Sequence, residues 1–471
     1  MTAAARTLAA TVAAHRFGLG EADTAALAPD AAGWLRAQIG PADAPLGEAL
    51  PDFAQALRVQ ATARRLREPE AERALRQQVL ADQQSRLLTA LRTRRPFAER
   101  LQLFWCNHFT VSLAKGAAQG LVGAFEREAI RPHIAGRFAD LLAAAVTHPT
   151  MLRYLDNQGS AGPQSAIVQR VRRRGERSGQ APRLTGLNEN LAREVLELHT
   201  LGVARSGDMA GADATYGPMG GYGQADVTAF AAVLTGWRGP VIDGDAASAP
   251  GTRFDADWHQ PGDKVVLGRR HAEGPQALRA VLDDLARHPA TARHIALKLA
   301  RHLVADQPPP ALVARLAQRF TDSDGDLPAV YAALIDSPEA WAAPPQKLKS
   351  PEEFLLSAGR LLTLDERAAR RLAEAGAPAL NAMGQRLQAA PSPAGWPDRA
   401  DEWLGPEALW QRVAWSRRWA ERAGAAVDAR ALAAASLGPW LGDTARQQIA
   451  RAADGQQALA LLWLAPEFQR R

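Results

Sequence analysis

The run Asn188-Glu189-Asn190-Leu191-Ala192-Arg193-Glu194-Val195-Leu196-Glu197-Leu198-His199-Thr200-Leu201-Gly202 decides how this chain is read. Placed at about 100° per residue, Glu189, Asn190, Arg193, Glu194, Glu197 and Thr200 fill one continuous arc. Leu191, Ala192, Val195, Leu196, Leu198 and His199 fill the other. A half-buried strand would alternate residue by residue, which this run does not, so it is an amphipathic helix. His199 is the odd member, an ionisable ring on the apolar side.

The same patterning extends outward. Ala, Leu, Arg, Glu and Gln dominate residues 52–145, with apolar positions recurring at three and four, as in Leu80, Leu87, Leu88 and Leu91. Helical patterning returns at 224–235 and 275–303. Asp326 reads as an N-cap ahead of Leu327-Pro328, Pro344-Pro345 breaks the chain, and 391–403 is a Pro- and Trp-containing loop before a helical C-terminal part. Residues 158–187, rich in Gly, Ser, Gln and Arg, read as a mobile surface insertion or a polyanion-binding arm. Irregular loops are expected at 204–223 and 238–268. The expected fold is mainly α, a large multi-helix, bundle-like unit over residues 1–471.

With 47% hydrophobic residues, the 471-residue chain can bury sizeable cores, which excludes disorder of the whole. Its 56 basic residues against 50 acidic ones leave a net charge of +6, a small excess that fits a mixed solvated surface better than a nucleic-acid groove. Cys106 is the only cysteine, so intrachain disulfides and thiolate metal clusters are excluded; its aromatic neighbours favour an inert thiol over a reactive one. No run approaches the ~18 to 20 apolar residues of a membrane span. The apolar run Leu8–Ala14 is short and leads directly into His15-Arg16-Phe17-Gly18, without signal-peptide architecture. A cytoplasmic location is expected, with the periplasm, reached by co-export with a partner, as the alternative.

Gly-x-Ser-x-Gly elbows, His-Glu-x-x-His pairs and Walker loops are absent, so common hydrolase and nucleotide-triphosphatase plans have no support. Asp322-Ser323-Asp324-Gly325-Asp326 mimics a calcium loop, but its glycine falls at the fourth position and Ala333 at the twelfth. His108, in the aromatic segment Phe104-Trp105-Cys106-Asn107-His108-Phe109, is either a satisfied core histidine or a site residue. Asp156, in Tyr154-Leu155-Asp156-Asn157, either turns the backbone or meets a ligand. On the quoted helix, Glu189, Arg193 and Glu197 can form a ladder at spacings of four. Glu194 and Glu197 share a side, where two carboxylates can bind a divalent cation or divide acid and base roles. His199 points about 140° from Glu194 and cannot join them.

Asp226 sits in the first turn of a helix entered through Tyr222-Gly223, where its charge opposes phosphate binding. His259 and Lys264, in Trp258-His259-Gln260-Pro261-Gly262-Asp263-Lys264, can bring proton transfer and positive charge to the carboxylate face or simply anchor their loop. The acid/base candidates are therefore His108, Asp156, Glu189, Arg193, Glu194, Asp226, His259 and Lys264. For a divalent metal they are His108, Glu194, Glu197 and His259.

Taken in order, these segments resemble the bacterial family called domain of unknown function 1800. The likeness runs through His15–Gly18, Phe104–Ser112, His148–Asn157, Asn188–Gly202, Gly221–Trp237 and Phe254–Gly268. It continues through Lys347-Leu348-Lys349-Ser350-Pro351, Gly384-Gln385, Gly395-Trp396-Pro397 and Pro466-Glu467-Phe468-Gln469. The resemblance implies a mainly helical bacterial protein and, as a partner, an exported protein similar to alkaline phosphatases and sulfatases. It implies no activity. The chain departs from the family pattern where Cys106 replaces a common histidine, where Gln260 replaces an Asp, and in its long insertion at 158–187.

Three functions remain open on this reading. The first is a binding or scaffolding partner of another protein, its polar motifs forming buried networks. The second is an enzyme or metal-dependent protein using the 188–200 helix with the loop residues. Nucleic-acid binding is the third and weakest.

Overall fold

The computed structural model describes residues 2–47, 50–178, 186–203, 220–240, 242–243, 246–247, 251–423 and 427–471. The chain begins with α1 (Ala3–Val12), α2 (Ala31–Arg36), α3 (Phe53–Leu66), α4 (Pro69–Arg92) and α5 (Pro96–His108). Shorter helices follow as α6 (Val122–Phe125), α7 (Phe138–Thr147), α8 (Pro149–Tyr154), α9 (Ala166–Ser178) and α10 (Asn190–Glu194). Next come α11 (Gln224–Leu234), α12 (Gln276–Ala286), α13 (Pro289–Leu303), α14 (Pro310–Asp322) and α15 (Leu327–Ile335). The C-terminal part holds α16 (Pro351–Leu361), α17 (Glu366–Ala382), α18 (Pro406–Ala423), α19 (Ala429–Ser436), α20 (Asp443–Ala450), α21 (Gly455–Leu464) and α22 (Pro466–Gln469).

The fold is thus mainly α. Among the described residues, strands occur only as three short antiparallel ribbons between Trp237 and His271: Trp237–Arg238 with Arg253–Phe254, Ile242–Asp243 with Ala246–Ala247, and Lys264–Val266 with Arg269–His271. Each strand is too short to show periodicity, which is why that stretch reads as a loop. No described helix is long and apolar enough to cross a membrane. The segment read as an insertion contains α9, tied down where Ile167 N–H donates to Asp257 O at 3.0 Å and Gly162 N–H to Trp258 O at 2.9 Å. Residues 179–185 and 204–219 lie outside the described residues.

Helix starts follow local polar chemistry. Asp52 accepts from Gln55 N at 2.7 Å while Gln55 accepts from Asp52 N at 3.0 Å, a reciprocal cap for α3. Asp326 caps α15 as expected, accepting from Ala329 N at 3.1 Å. Two helices use an imidazole instead: Nδ1 of His148 accepts from Thr150 N at 3.2 Å, and Nδ1 of His288 from Ala290 N at 3.1 Å, each with proline at the first helical position.

Among the described residues, two large hydrophobic cores result, beside two small clusters, one of Phe53, Ala56, Leu57, Leu121 and Ala124 and one of Ala10, Ala14 and Leu27. The first joins α1, α2, α5 to α8 and α10 to α15, with Trp105, Phe109 and Phe138 fully buried. The second gathers α4 and α16 to α22 around Phe354, Trp463 and Phe468. Among the described residues, three helices carry a π turn, at Ala13–Phe17, Glu126–Ile130 and Val195–Thr200. The quoted helix is therefore α10 continued by a π turn, with Thr200 Oγ1 donating to Val195 O at 2.7 Å. Such turns concentrate at functional sites.

Candidate functional site

The sequence candidates are placed in several separate settings. Glu189 accepts from Thr228 Oγ1 at 2.7 Å, from Gln224 Nε2 at 2.8 Å and from Arg193 at 3.2 Å. The bonds from Thr228 and Gln224 hold its pKa below the ordinary range. Arg193 also reaches Glu197 at 3.7 Å, so the expected ladder forms and lies along the seam of α10 with α11. Glu194 makes no hydrogen bond among the described residues; burial and the nearby Glu197 raise its pKa.

Asp226 is used by the backbone, one oxygen accepting from Gly223 N at 2.9 Å and the other from Leu267 N at 2.8 Å. Both ring nitrogens of His259 are engaged. Its Nδ1 donates to Thr235 O at 2.8 Å, which leaves Nε2 as the lone-pair nitrogen, and Lys264 Nζ donates to that nitrogen at 2.9 Å. Asp156 stands in a left-handed turn at φ 60° and pairs with Lys115 at 2.5 Å. No hydrogen bond, ion pair or ring contact among the described residues joins His108, Glu194 and His259. Nor is any group of three or more His, Cys, Asp or Glu placed there to hold a metal ion.

His108 lies inside the first core, where its Nε2 donates to His199 O at 3.2 Å and its Nδ1 has no partner. Its ring centroid is 6.0 Å from that of His199 and 6.3 Å from that of His294. His199 is fully buried with neither ring nitrogen bonded, which agrees with its place on the packing face. Burial, reinforced by the charge of Lys298, lowers His199 and His294 to about 3 and His108 well below its usual value. These rings are neutral at pH 7.

Helix α13 extends this cluster, because His294, Lys298 and His302 recur every four residues and share one stripe. Burial brings the Lys298 amine down to about 8. His302 donates from Nδ1 to Asp398 Oδ1 at 3.1 Å, and its Nε2 is buried without a partner. Burial would raise Asp398, but the interaction with His302, including its hydrogen bond, and the charges of Lys347 and Lys298 outweigh it and hold the carboxyl below its ordinary range.

His302 and Asp398 form part of the wall of a cleft of about 80 Å³ where the two cores meet. That is room for several waters or one small ion. The wall carries dense, opposed charge. Arg86 donates to Glu126 at 2.8 Å and to Glu352 at 2.7 Å; Arg100 pairs with Glu353 at 2.5 Å, and Arg471 with the same carboxylate at 2.6 Å. Burial pushes Glu353 up, but Arg471 and Arg100 overcome it and hold the carboxyl well below its usual range. Cys106 faces this cleft as a protonated thiol, raised by burial and accepting from Gln102 Nε2 at 3.1 Å.

Backbone fit closes one side of the cleft. Asn107 donates from Nδ2 to Trp396 O at 2.9 Å and accepts from Trp396 N at 2.7 Å. Gly395 stands at φ +85°, where a Cβ would come within 2.4 Å of Asn107 O, so glycine is required there. The segments at 104–112, 347–351, 384–385 and 395–397 therefore converge on one place. From the sequence, only His108 of the first segment was a site candidate, and Arg86, Arg100, Glu126, Glu352, Glu353, His302 and Asp398 were missed. One signal was available: the spacing of four in His294, Lys298 and His302.

Fold and cleft define a class, a mainly helical protein whose polar motifs meet at a charged seam between two cores. A profile described as protein of unknown function (DUF1800) matches residues 12–470, and the chain belongs to that family. No curated protein and no solved structure matches it.

Proposed function

We propose that the chain is a binding or scaffolding partner of another protein, and that its polar motifs build the interior needed to present a fixed surface. The observation that supports this is the mutual neutralisation of the cleft charges: Arg86 is taken up by Glu126 and Glu352, and Glu353 by Arg100 and Arg471. Satisfied buried networks specify one structure without requiring chemistry. The partner expected from the family resemblance is the exported phosphatase- or sulfatase-like protein, met in the cytoplasm before export; fractionation of cells tests co-export. Co-expression of the two, followed by light scattering on the purified material, should give a complex of fixed stoichiometry. The Glu194→Gln, His259→Ala double variant should retain it. Separate elution of the two proteins would remove the proposal.

A second reading, an acid/base enzyme, is favoured by His302 and not by the 188–200 helix. A neutral imidazole oriented by a carboxylate, with its second nitrogen unpartnered at a cleft, is the arrangement of a general base. Hydrolysis of p-nitrophenyl acetate or phosphate that disappears in His302→Asn would support it, and absence of turnover in the parent chain would count against it. Nucleic-acid binding stays the weakest reading; salt-dependent retention of DNA or RNA would revive it.

A further inference from the structure

Helix α18 is docked by one face only. Trp415, Ser416, Arg412 and Ala420 are buried, while Trp410 is 64% exposed and is joined by exposed Leu404, Leu409 and Val413. Large apolar side chains exposed together mark an interaction surface, whereas scattered ones do not. At about 100° per residue, Leu409, Trp410, Val413 and the exposed Arg417 lie on one stripe of α18.

The charges beside that stripe indicate what covers it. Glu407, exposed in the first turn, and Arg418, exposed near the end, lie on the same flank at about 20° from one another. The point midway between them along the axis falls at 412–413, level with Val413 of the apolar stripe. In an antiparallel helix pair, residues on one flank meet the same flank of the other helix. Two copies of α18 related by a twofold axis through that midpoint would set Glu407 of each against Arg418 of the other, with Trp410 and Val413 between them. A surface that is complementary to itself in this way is isologous.

We propose that the protein forms a twofold homodimer through α18, packed antiparallel on a second copy of the same helix. This surface lies outside the cleft, and the dimer is measured on the purified chain alone, so its failure leaves the partner proposal untouched.

The test is analytical ultracentrifugation of the full chain over a concentration series. The parent should approach twice its 50.5 kDa mass. Trp410→Glu, at an exposed position, should sediment as monomer while keeping the parent's far-UV circular dichroism spectrum and a cooperative unfolding transition. Glu407→Arg alone should weaken association at least tenfold, and Glu407→Arg with Arg418→Glu should restore it, because the swap rebuilds both pairs. Val413→Cys, close to the axis, should give a covalent dimer on oxidation. A parent that stays monomeric throughout, a Trp410→Glu variant that still dimerises, or a charge swap that fails to restore a dimer lost in the single variant would each overturn the proposal.

Discussion

The α10 to α11 seam and the interior cleft are built from the same side chains, Glu and Arg, and behave as different materials. In the seam, Arg193 pairs with Glu189 and Glu197 across four residues, with side chains 27–40% exposed. In the cleft, Arg86 and Arg100 pair with Glu352 and Glu353 from 266 and 253 residues away, with side chains 3–12% exposed. An exposed pair at a spacing of four contributes about 0.3 to 0.5 kcal/mol, whereas removing one partner of a buried pair costs about 3 to 5 kcal/mol. Charge type therefore says little about role until burial is known: the seam is a solvated edge, and the cleft is part of the fold's skeleton.

The imidazoles sharpen that contrast most strongly, since His199 lies on the buried side of the helix whose polar side forms the seam. His15, His199 and His294 are each held at about 3 against 6.5 unfolded, mainly by burial. The unfolded chain then takes up protons that the folded chain refuses. The contribution is complete above pH 6.5 and is lost as pH falls from 6.5 towards 3, at about 1.4 kcal/mol per pH unit for each ring. Asp82, raised to about 6 by burial despite Arg127, acts in the opposite sense between about 4 and 6 and offsets about one ring. Urea unfolding at stepped pH should show stability dropping steeply below pH 6, with the slope reduced by about one proton in His199→Gln. A flat profile from pH 7 to 4 would place these rings in contact with water.

Arg86→Met comes next, leaving Glu126 and Glu352 without their shared cation; its loss should be about 3 to 5 kcal/mol in denaturant unfolding. A variant as stable as the parent would make the cleft equivalent to the seam. Asp326→Ala, which removes only a helix cap, should cost about 1 kcal/mol and calibrates the scale between the two regions.

How legible each region was follows from the same distinction. Period and capping are local, so the run at 188–202, the Asp326 cap and the helical stretches before residue 145 could be read directly. The apolar side of the quoted helix also identified His199 as a packing residue. The cleft was not legible because its pairs join α4 and α5 to α16 across hundreds of residues, and no periodicity reports such a meeting. His259 and Asp226 looked chemically available in the sequence; the structure shows Lys264 on the free nitrogen of the first and two backbone amides on the second. Only knowledge of the partner atoms could have revealed that.

The most direct test sets a paired carboxylate of the cleft beside one on α10 that is unpaired among the described residues. Glu353→Gln and Glu194→Gln make the same chemical change, and urea unfolding at pH 7 measures both. Glu353→Gln leaves Arg100 and Arg471 facing a neutral amide and should lose about 3 to 5 kcal/mol. Glu194→Gln removes a charge already disfavoured by burial and by Glu197, and should stay within about 0.5 kcal/mol of the parent or gain slightly. Equal losses, or a larger loss at Glu194, would contradict the account.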